Sequence, residues 1–288
     1  MTDATGSAQA VTVSRSPPMQ SARATSTDGR IIYAIGDVHG CYDQFVALME
    51  AIVADIAANP DDVPALLILC GDYVDRGPRS SDVLAALVWL SRPAPVEIVM
   101  LRGNHEEMLL GFLERPEEQL TWLQREGQLT LGSYGVPIAA DPMAIEEADC
   151  RRLRDELSDR MPVSHLDLLR GLPVKKTCGD YIFVHAGFRP GVAISKQSDD
   201  DCLWIREEFL TRDHRFDKVV VHGHSWSSGD PVITPHRIGI DTGVYETGVL
   251  TAVRLEGATI EFLQARVAEA AIVPPATPSS IGPSPGGL

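Results

Sequence analysis

The chain has 288 residues, 44% of them hydrophobic, with 40 acidic against 25 basic side chains and a formal net charge of -15. That length can bury the core of one large α/β domain, and an acidic balance of this size argues against a sequence-independent nucleic-acid binder or a surface that docks on anionic lipid. The five cysteines, at 41, 70, 150, 178 and 202, are an odd number with no C-x-x-C pair, which fits free thiols in a reducing compartment better than a disulfide framework.

In chain order, residues 1–28 are rich in Ser, Ala and Thr and contain no apolar run long enough for a signal-peptide core, so they are expected to form a disordered leader. A catalytic domain is expected over 29–266. Its first half alternates short apolar runs, "IIYAI" (31–35), "ALLILC" (65–70) and "VEIVML" (96–101), with helical patterns that begin near residues 43, 81 and 106. A β-α-β-α-β-α order implies a parallel sheet with crossover helices. The second half, "YIFVHAG", "KVVVHGH", "PVITP", "HRIGID", "GVLTAVRL" and "ATIEFL", reads as a second, partly antiparallel sheet. Residues 267–288 are Pro/Gly/Ser-rich and are expected to be a disordered tail. No stretch approaches the roughly 18 apolar residues that span a bilayer, so a soluble cytoplasmic protein without a membrane partner is expected.

Polar residues cluster where the strands end. "GDVHG" supplies Asp37 and His39, "GDYVDRG" supplies Asp72, Asp75 and Arg76, "RGNHE" supplies Asn104 and His105, "HAG" supplies His185, and "HGH" supplies His222 and His224. In open α/β sheets ligands bind outside the carboxyl ends of the strands, so these side chains converge on one edge. Asp37, His39, Asp72, Asn104, His185 and His224 are oxygen and imidazole donors without thiolate, a set suited to manganese, iron or zinc. Two ions about 3.5–4 Å apart can serve in-line displacement at phosphorus, and Arg76 offers a planar fork for phosphate oxygens. Duller readings exist: Gly-Asp after a strand can simply turn the chain, Asn104 can cap the helix that follows, and Glu106 and Glu107 suit a helix start. His165, His214 and His236 match no motif and read as surface or packing residues. The acidic run in "SDDDC" (198–202) reads as a solvated loop.

Taken together, "GDVHG", "GDYVDRG", "RGNHE", "HAG", "LWIR" and "HGHS" resemble the ordered motifs of the PPP-type serine/threonine phosphoprotein phosphatases of the calcineurin-like metallophosphoesterase superfamily, particularly the bacterial and phage branch that includes lambda phosphatase. "WLQREG", "LTLGSYG" and "IDTG" are also similar to bacterial members. The resemblance spans about residues 31 to 264 and implies a four-layer α/β/β/α sandwich of two mixed sheets. It implies that Asp37 and His39 hold a first divalent ion, Asp72 bridges, and Asn104, His185 and His224 complete a second, with manganese favoured and iron or zinc as alternatives. It selects His224 over His222 because the family ligand is followed directly by Ser, Thr or Gln. His105 would be the general acid and Asp75 its orienting partner; Arg76, Arg206 and Asn104 would bind the phosphoryl group. The implied reaction removes phosphate from phosphoserine or phosphothreonine in proteins or peptides by direct attack of metal-activated hydroxide, with no phosphoenzyme. The alternative is a symmetrical diadenosine tetraphosphatase with the same metal site, whose relatives typically read "ARG" and "GNHD" where this chain reads "DRG" and "GNHE".

Overall fold

The structure, a computed structural model, describes residues 10–137, 139–211 and 216–267. The first sheet takes the order β1 (Val11–Arg15), β12 (Thr259–Val267), β11 (Val249–Glu256), β3 (Ile31–Ile35), β4 (Ala65–Leu69) and β5 (Glu97–Met100), with β2 (Met19–Gln20) also pairing on β12. The second takes the order β6 (Lys175–Cys178), β7 (Tyr181–Val184), β8 (Val219–His222), β10 (Arg237–Gly239) and β9 (Val232–Ile233). Within each, the central strands β3–β4–β5 and β7–β8–β10 are parallel and the outer pairings antiparallel, so both sheets are mixed.

Side-chain alternation along these strands builds four layers. On β3, Ile31, Tyr33 and Ile35 pack under helices α1 (Tyr42–Ala57), α2 (Ser80–Leu90) and α3 (Asn104–Glu114), through Phe45, Leu48, Val83, Leu84 and Phe112. Ile32 and Ala34 point the other way, onto Phe183, Val221 and Ile238 of the second sheet. The outer face of that sheet, Ile182, Val184 and Val220, is covered by Phe188, Cys202 and Phe209. Every residue of β3 is therefore buried, as a strand covered on both faces must be. No helix among the described residues is long and apolar enough to cross a membrane, and all five cysteines are free.

Two expectations are corrected. "GVLTAVRL" and "ATIEFL" do not join the second sheet: β11 pairs antiparallel with β3 and carries β12 outward. Both faces of β11 are apolar, Leu250 and Ala252 toward the helices and Val253 and Leu255 toward the inter-sheet core. Such a strand needs a site covered on both sides, which the free edge of β3 provides. Residues 11–15 and 19–20, placed within the disordered leader, are strands on β12. Their composition could not order them alone; the hydrogen-bond edge of β12 and the Arg15–Asp55 ion pair at 2.7 Å do. Apart from Val267, the expected tail lies outside the described residues, as does His214.

Candidate metal centre and active site

The parallel strands end at the same edge of each sheet, and the loops that follow are tightly folded. Seven non-glycine residues among those described have a left-handed backbone, and five of them, His39, Asp72, Asp75, Arg76 and His224, lie in these loops. Each such residue carries a conformational cost of about 1–2 kcal/mol, which persists only where surrounding contacts over-determine it. Around Asp72, Glu106 supplies those contacts. Fully buried, its carboxylate accepts the backbone N–H groups of Asp72 (2.8 Å), Tyr73 (2.7 Å) and Gly103 (2.8 Å). Desolvation and then Asp72 push the Glu106 carboxyl up to about 7, with these N–H bonds pulling the other way. Glycine is required at 103, where a Cβ would lie 2.1 Å from Asp72 Oδ1, and at 223, where it would lie 2.0 Å from Asp37 Oδ1.

The structure brings the expected residues together. Asp72 sits centrally: His39 Nε2 is 3.5 Å from one oxygen, His185 Nε2 3.4 Å from the other, and His105 Nε2 3.8 Å away. Donor atoms of His39, Asp72 and His105, and of Asp72, His185 and His224, form two groups that could each hold an ion, with Asp72 common to both. Asn104 Oδ1 lies 2.8 Å from His185 Nε2, which lies 3.1 Å from His224 Nδ1. Asn104 is thus free of capping duty; the residue preceding α3 is Gly103. Asp37 belongs to neither group and instead accepts the His224 N–H at 2.9 Å. His222 points away, its Nε2 3.3 Å from Arg237 and its ring 5.1 Å from Phe209.

The tautomers suit ligation. Nδ1 of His39 faces the Val74 carbonyl and Nδ1 of His185 faces the Cys70 carbonyl, each at 2.9 Å, so Nδ1 carries the proton and Nε2 presents its lone pair to the site. Desolvation, then the neighbouring His105, pushes His39 down to about 3; desolvation likewise lowers His185 and His224. Burial and then the crowding of Asp241 and Asp72 raise Asp37, and burial raises Asp241 to about 6. Four buried carboxyls, Asp37, Asp72, Asp241 and Glu106, therefore face mostly neutral imidazoles. This oxygen and imidazole set, with more negative charge than its own cations offset, fits divalent ions.

His105 is held differently. Its Nδ1 lies 2.6 Å from Asp75, whose oxygens also accept Trp122 Nε1 (2.7 Å) and Thr130 Oγ1 (2.6 Å). Desolvation lowers its pKa, but Asp72 and the Asp75 hydrogen bond outweigh this and push it up to about 9. Arg76 lies against Tyr245, its Cζ 4.5 Å from the ring centroid, and pairs with Glu126 at 3.0 Å. Arg206 Nε donates to His224 Nε2 at 2.9 Å. The residues that sequence reasoning missed are Glu106, read only as a helix start, and Asp241, Tyr245, Trp122, Glu126 and Thr130. A signal is present for most of them, since "IDTG", "WLQREG" and "LTLGSYG" contain Asp241, Trp122, Glu126 and Thr130, although these motifs alone point to no single residue. The acidic run is also not a loop: Asp199–Trp204 is helical, Ser198 caps it and Asp201 pairs with Arg189 at 2.5 Å. His165 packs with Tyr134 at 2.8 Å, and His236 contacts Arg23.

Strand-end loops of this kind around shared carboxylate and imidazole donors coincide with a sequence signature, "Calcineurin-like phosphoesterase", that matches residues 31–238. The chain belongs to this family. It is 33% identical over 158 residues to a symmetrical bis(5'-nucleosyl)-tetraphosphatase of Dechloromonas aromatica, covering 55% of this chain but only 44% of the relative. It is 29% identical over 250 residues to the asymmetrical bis(5'-nucleosyl)-tetraphosphatase PrpE of Geobacillus thermodenitrificans, covering 76% of this chain and 88% of the relative. A symmetrical bis(5'-nucleosyl)-tetraphosphatase of Neisseria meningitidis is 27% identical over 279 residues, covering 81% of this chain and 95% of the relative. Among solved structures, a candidate diadenosine tetraphosphatase superposes with a TM-score of 0.54 at 19% identity, covering 85% of this chain and 98% of that one, which supports the fold.

Proposed function

We propose that this chain is a metal-dependent hydrolase that cleaves a phosphoanhydride bond of dinucleoside tetraphosphates, ahead of the phosphoprotein reading its motifs first suggest. The observation that carries this choice is similarity along most of the length of relatives bearing that name, 95% of the Neisseria protein and 88% of the Geobacillus protein. Asp37, His39, Asp72, Asn104, His185 and His224 would hold two divalent ions, manganese first among the candidates. When bound, those ions would supply Lewis-acid stabilisation of the charge on the phosphoryl oxygens. Arg76 and Arg206, on the rim of the same pocket, bind and orient that group. Water supplies the oxygen that bonds to phosphorus and sheds a proton to solvent, the bridging P–O bond breaks with its electron pair on the leaving oxygen, the Nε2 proton of His105 goes to that oxygen, and solvent then reprotonates His105. Asp75 keeps Nδ1 protonated and the ring oriented, which leaves Nε2 as the donor toward substrate.

The second reading, hydrolysis of phosphoserine and phosphothreonine in proteins, is favoured by the Asp75–His105 contact at 2.6 Å. A general acid matters most when the leaving oxygen is a basic alkoxide, and least when it is a nucleoside phosphate. One assay panel separates the two. With manganese supplied, diadenosine tetraphosphate is compared at equal concentration with phosphoserine, phosphothreonine and phosphotyrosine peptides. A higher kcat/KM for the dinucleotide is expected, and the products report which anhydride is cut. Preference for a phosphopeptide would put the second reading first; full turnover after verified metal removal would reject both.

A further inference from the structure

Two hollows meet at the candidate active site. One, of about 390 Å³, is lined by Asp37, His39, Asp72 and His224. The other is a cleft of about 710 Å³ that runs past α3 to Trp204. They share three residues, Arg76, His105 and Arg206. His105 stands at the boundary and delivers its proton to the leaving oxygen, so whatever hangs from that oxygen extends into the cleft. The cleft is far larger than a phosphoserine side chain requires and falls within the range that holds a small-molecule ligand.

Its lining is the reverse of the protein's overall charge. Six arginines, 76, 102, 115, 125, 170 and 206, face it against four glutamates, 107, 114, 118 and 126, a net positive lining in a chain of net charge -15. Three are engaged by Glu126, Glu107 and Glu118, whereas Arg125 and Arg170 form no ion pair among the described residues. Nε of Arg102 is buried without a hydrogen-bond partner. Trp204, 40% exposed at the end of the helix that leads into Arg206, offers an aromatic ring to the same cleft as these cations. An aromatic platform and guanidinium groups without ion-pair partners in one cleft are what a base followed by phosphates requires. A peptide main chain has no use for the excess of cations.

We propose that this cleft is the subsite for the leaving nucleotide, with Trp204 stacking the base and Arg125 and Arg170 holding its phosphates. The assignment rests on the dinucleotide reading above, and the test separates the two. In holoenzyme, Trp204→Ala lowers the ratio of kcat/KM for diadenosine tetraphosphate to that for p-nitrophenyl phosphate by about 5- to 150-fold, the usual range for loss of one base–aromatic stack; Trp204→Phe recovers most of it. Calorimetric titration of the metal-free protein with ADP gives a second readout. Its Kd rises in Trp204→Ala and in the double variant Arg125→Gln/Arg170→Gln, and recovers in Trp204→Phe. If wild-type holoenzyme turns over only phosphopeptides, the dinucleotide reading falls and the ADP titration still judges the cleft. Equal ADP affinity in wild type and Trp204→Ala overturns the subsite, as does a Trp204→Ala defect confined to phosphopeptides.

Discussion

Replacing Glu106 by Gln exchanges one carboxylate oxygen for an NH2 group at the point where four loop N–H groups converge. Oε2 receives the Asp72 and Gly103 N–H groups at 2.8 Å each, and Oε1 receives that of Tyr73 at 2.7 Å and, at the long distance of 3.4 Å, that of Val74. An amide has one acceptor, so it can serve one pair or the other, but not both. Facing Asp72 and Gly103, it gives up one short bond, from Tyr73, and the long one from Val74; turned over, it gives up two short bonds. The first orientation wins and costs about 1–3 kcal/mol, the penalty of one orphaned buried donor. For a domain of this size that is a fall of about 2–12 °C in Tm. Turnover falls with it, because Tyr73, the residue that follows the left-handed Asp72 (φ 52°), loses its tether. Urea and thermal unfolding of metal-free protein at pH 8, where the Glu106 carboxyl is ionised, measure the stability term; metal analysis and the substrate panel measure the functional one. Unchanged unfolding midpoints would refute the idea that this carboxylate ties the loops together.

Three further outcomes follow from the structure. Arg76 adopts φ 64°, so Arg76→Gly should be more stable than Arg76→Ala by about 1 kcal/mol, while both lose phosphate binding; equal urea midpoints would argue against a left-handed backbone there. Asp55 accepts from Arg15 and Arg254 and contacts Tyr33; burial raises its pKa, but the bonds from Arg15 and Tyr33 outweigh this and leave it below its usual value. A depressed carboxyl contributes stability that is complete above the unfolded pKa of about 3.9 and is lost as pH falls through the lower folded value. The Tm gap between wild type and Asp55→Asn should therefore be constant near neutrality and begin to narrow below about pH 4, and a gap that shows no narrowing as the protein is acidified would count against the ion pairs as its source. His105→Asn should cut phosphoserine-peptide turnover by about 10²–10⁴-fold and p-nitrophenyl phosphate turnover much less, with metal content unchanged; equal losses would mean that His105 stabilises the phosphoryl group instead of donating a proton.

The strands 31–35 and 65–69 and the helices after them were legible because burial on both faces and a period near 3.6 leave local marks in a chain, and the edge strand 97–100, half-buried, was legible from its short apolar run. So were Asp37, His39, Asp72, Asp75, Asn104, His105, His185 and His224 as neighbours, since a parallel sheet delivers every strand end to one edge and polar, ligand-competent residues there have no role in a core. Other features were not legible from local pattern. An apolar strand announces that its faces are covered but not which edge its N–H and C=O groups meet, so β11 could be assigned to the wrong sheet. The leader's strands depend on an edge 239 residues or more away in the chain, as in the contacts of Gln20 with Thr259 and Ser16 with Phe262. Glu106 looked like a helix-start acid because its function lies in N–H groups 32 to 34 residues back, and Tyr245 reaches Arg76 across 169 residues. Periodicity records the side on which a residue is buried; its hydrogen-bond partner is chosen only when distant segments are packed against each other, and that packing placed Trp204 and the arginines around one cleft.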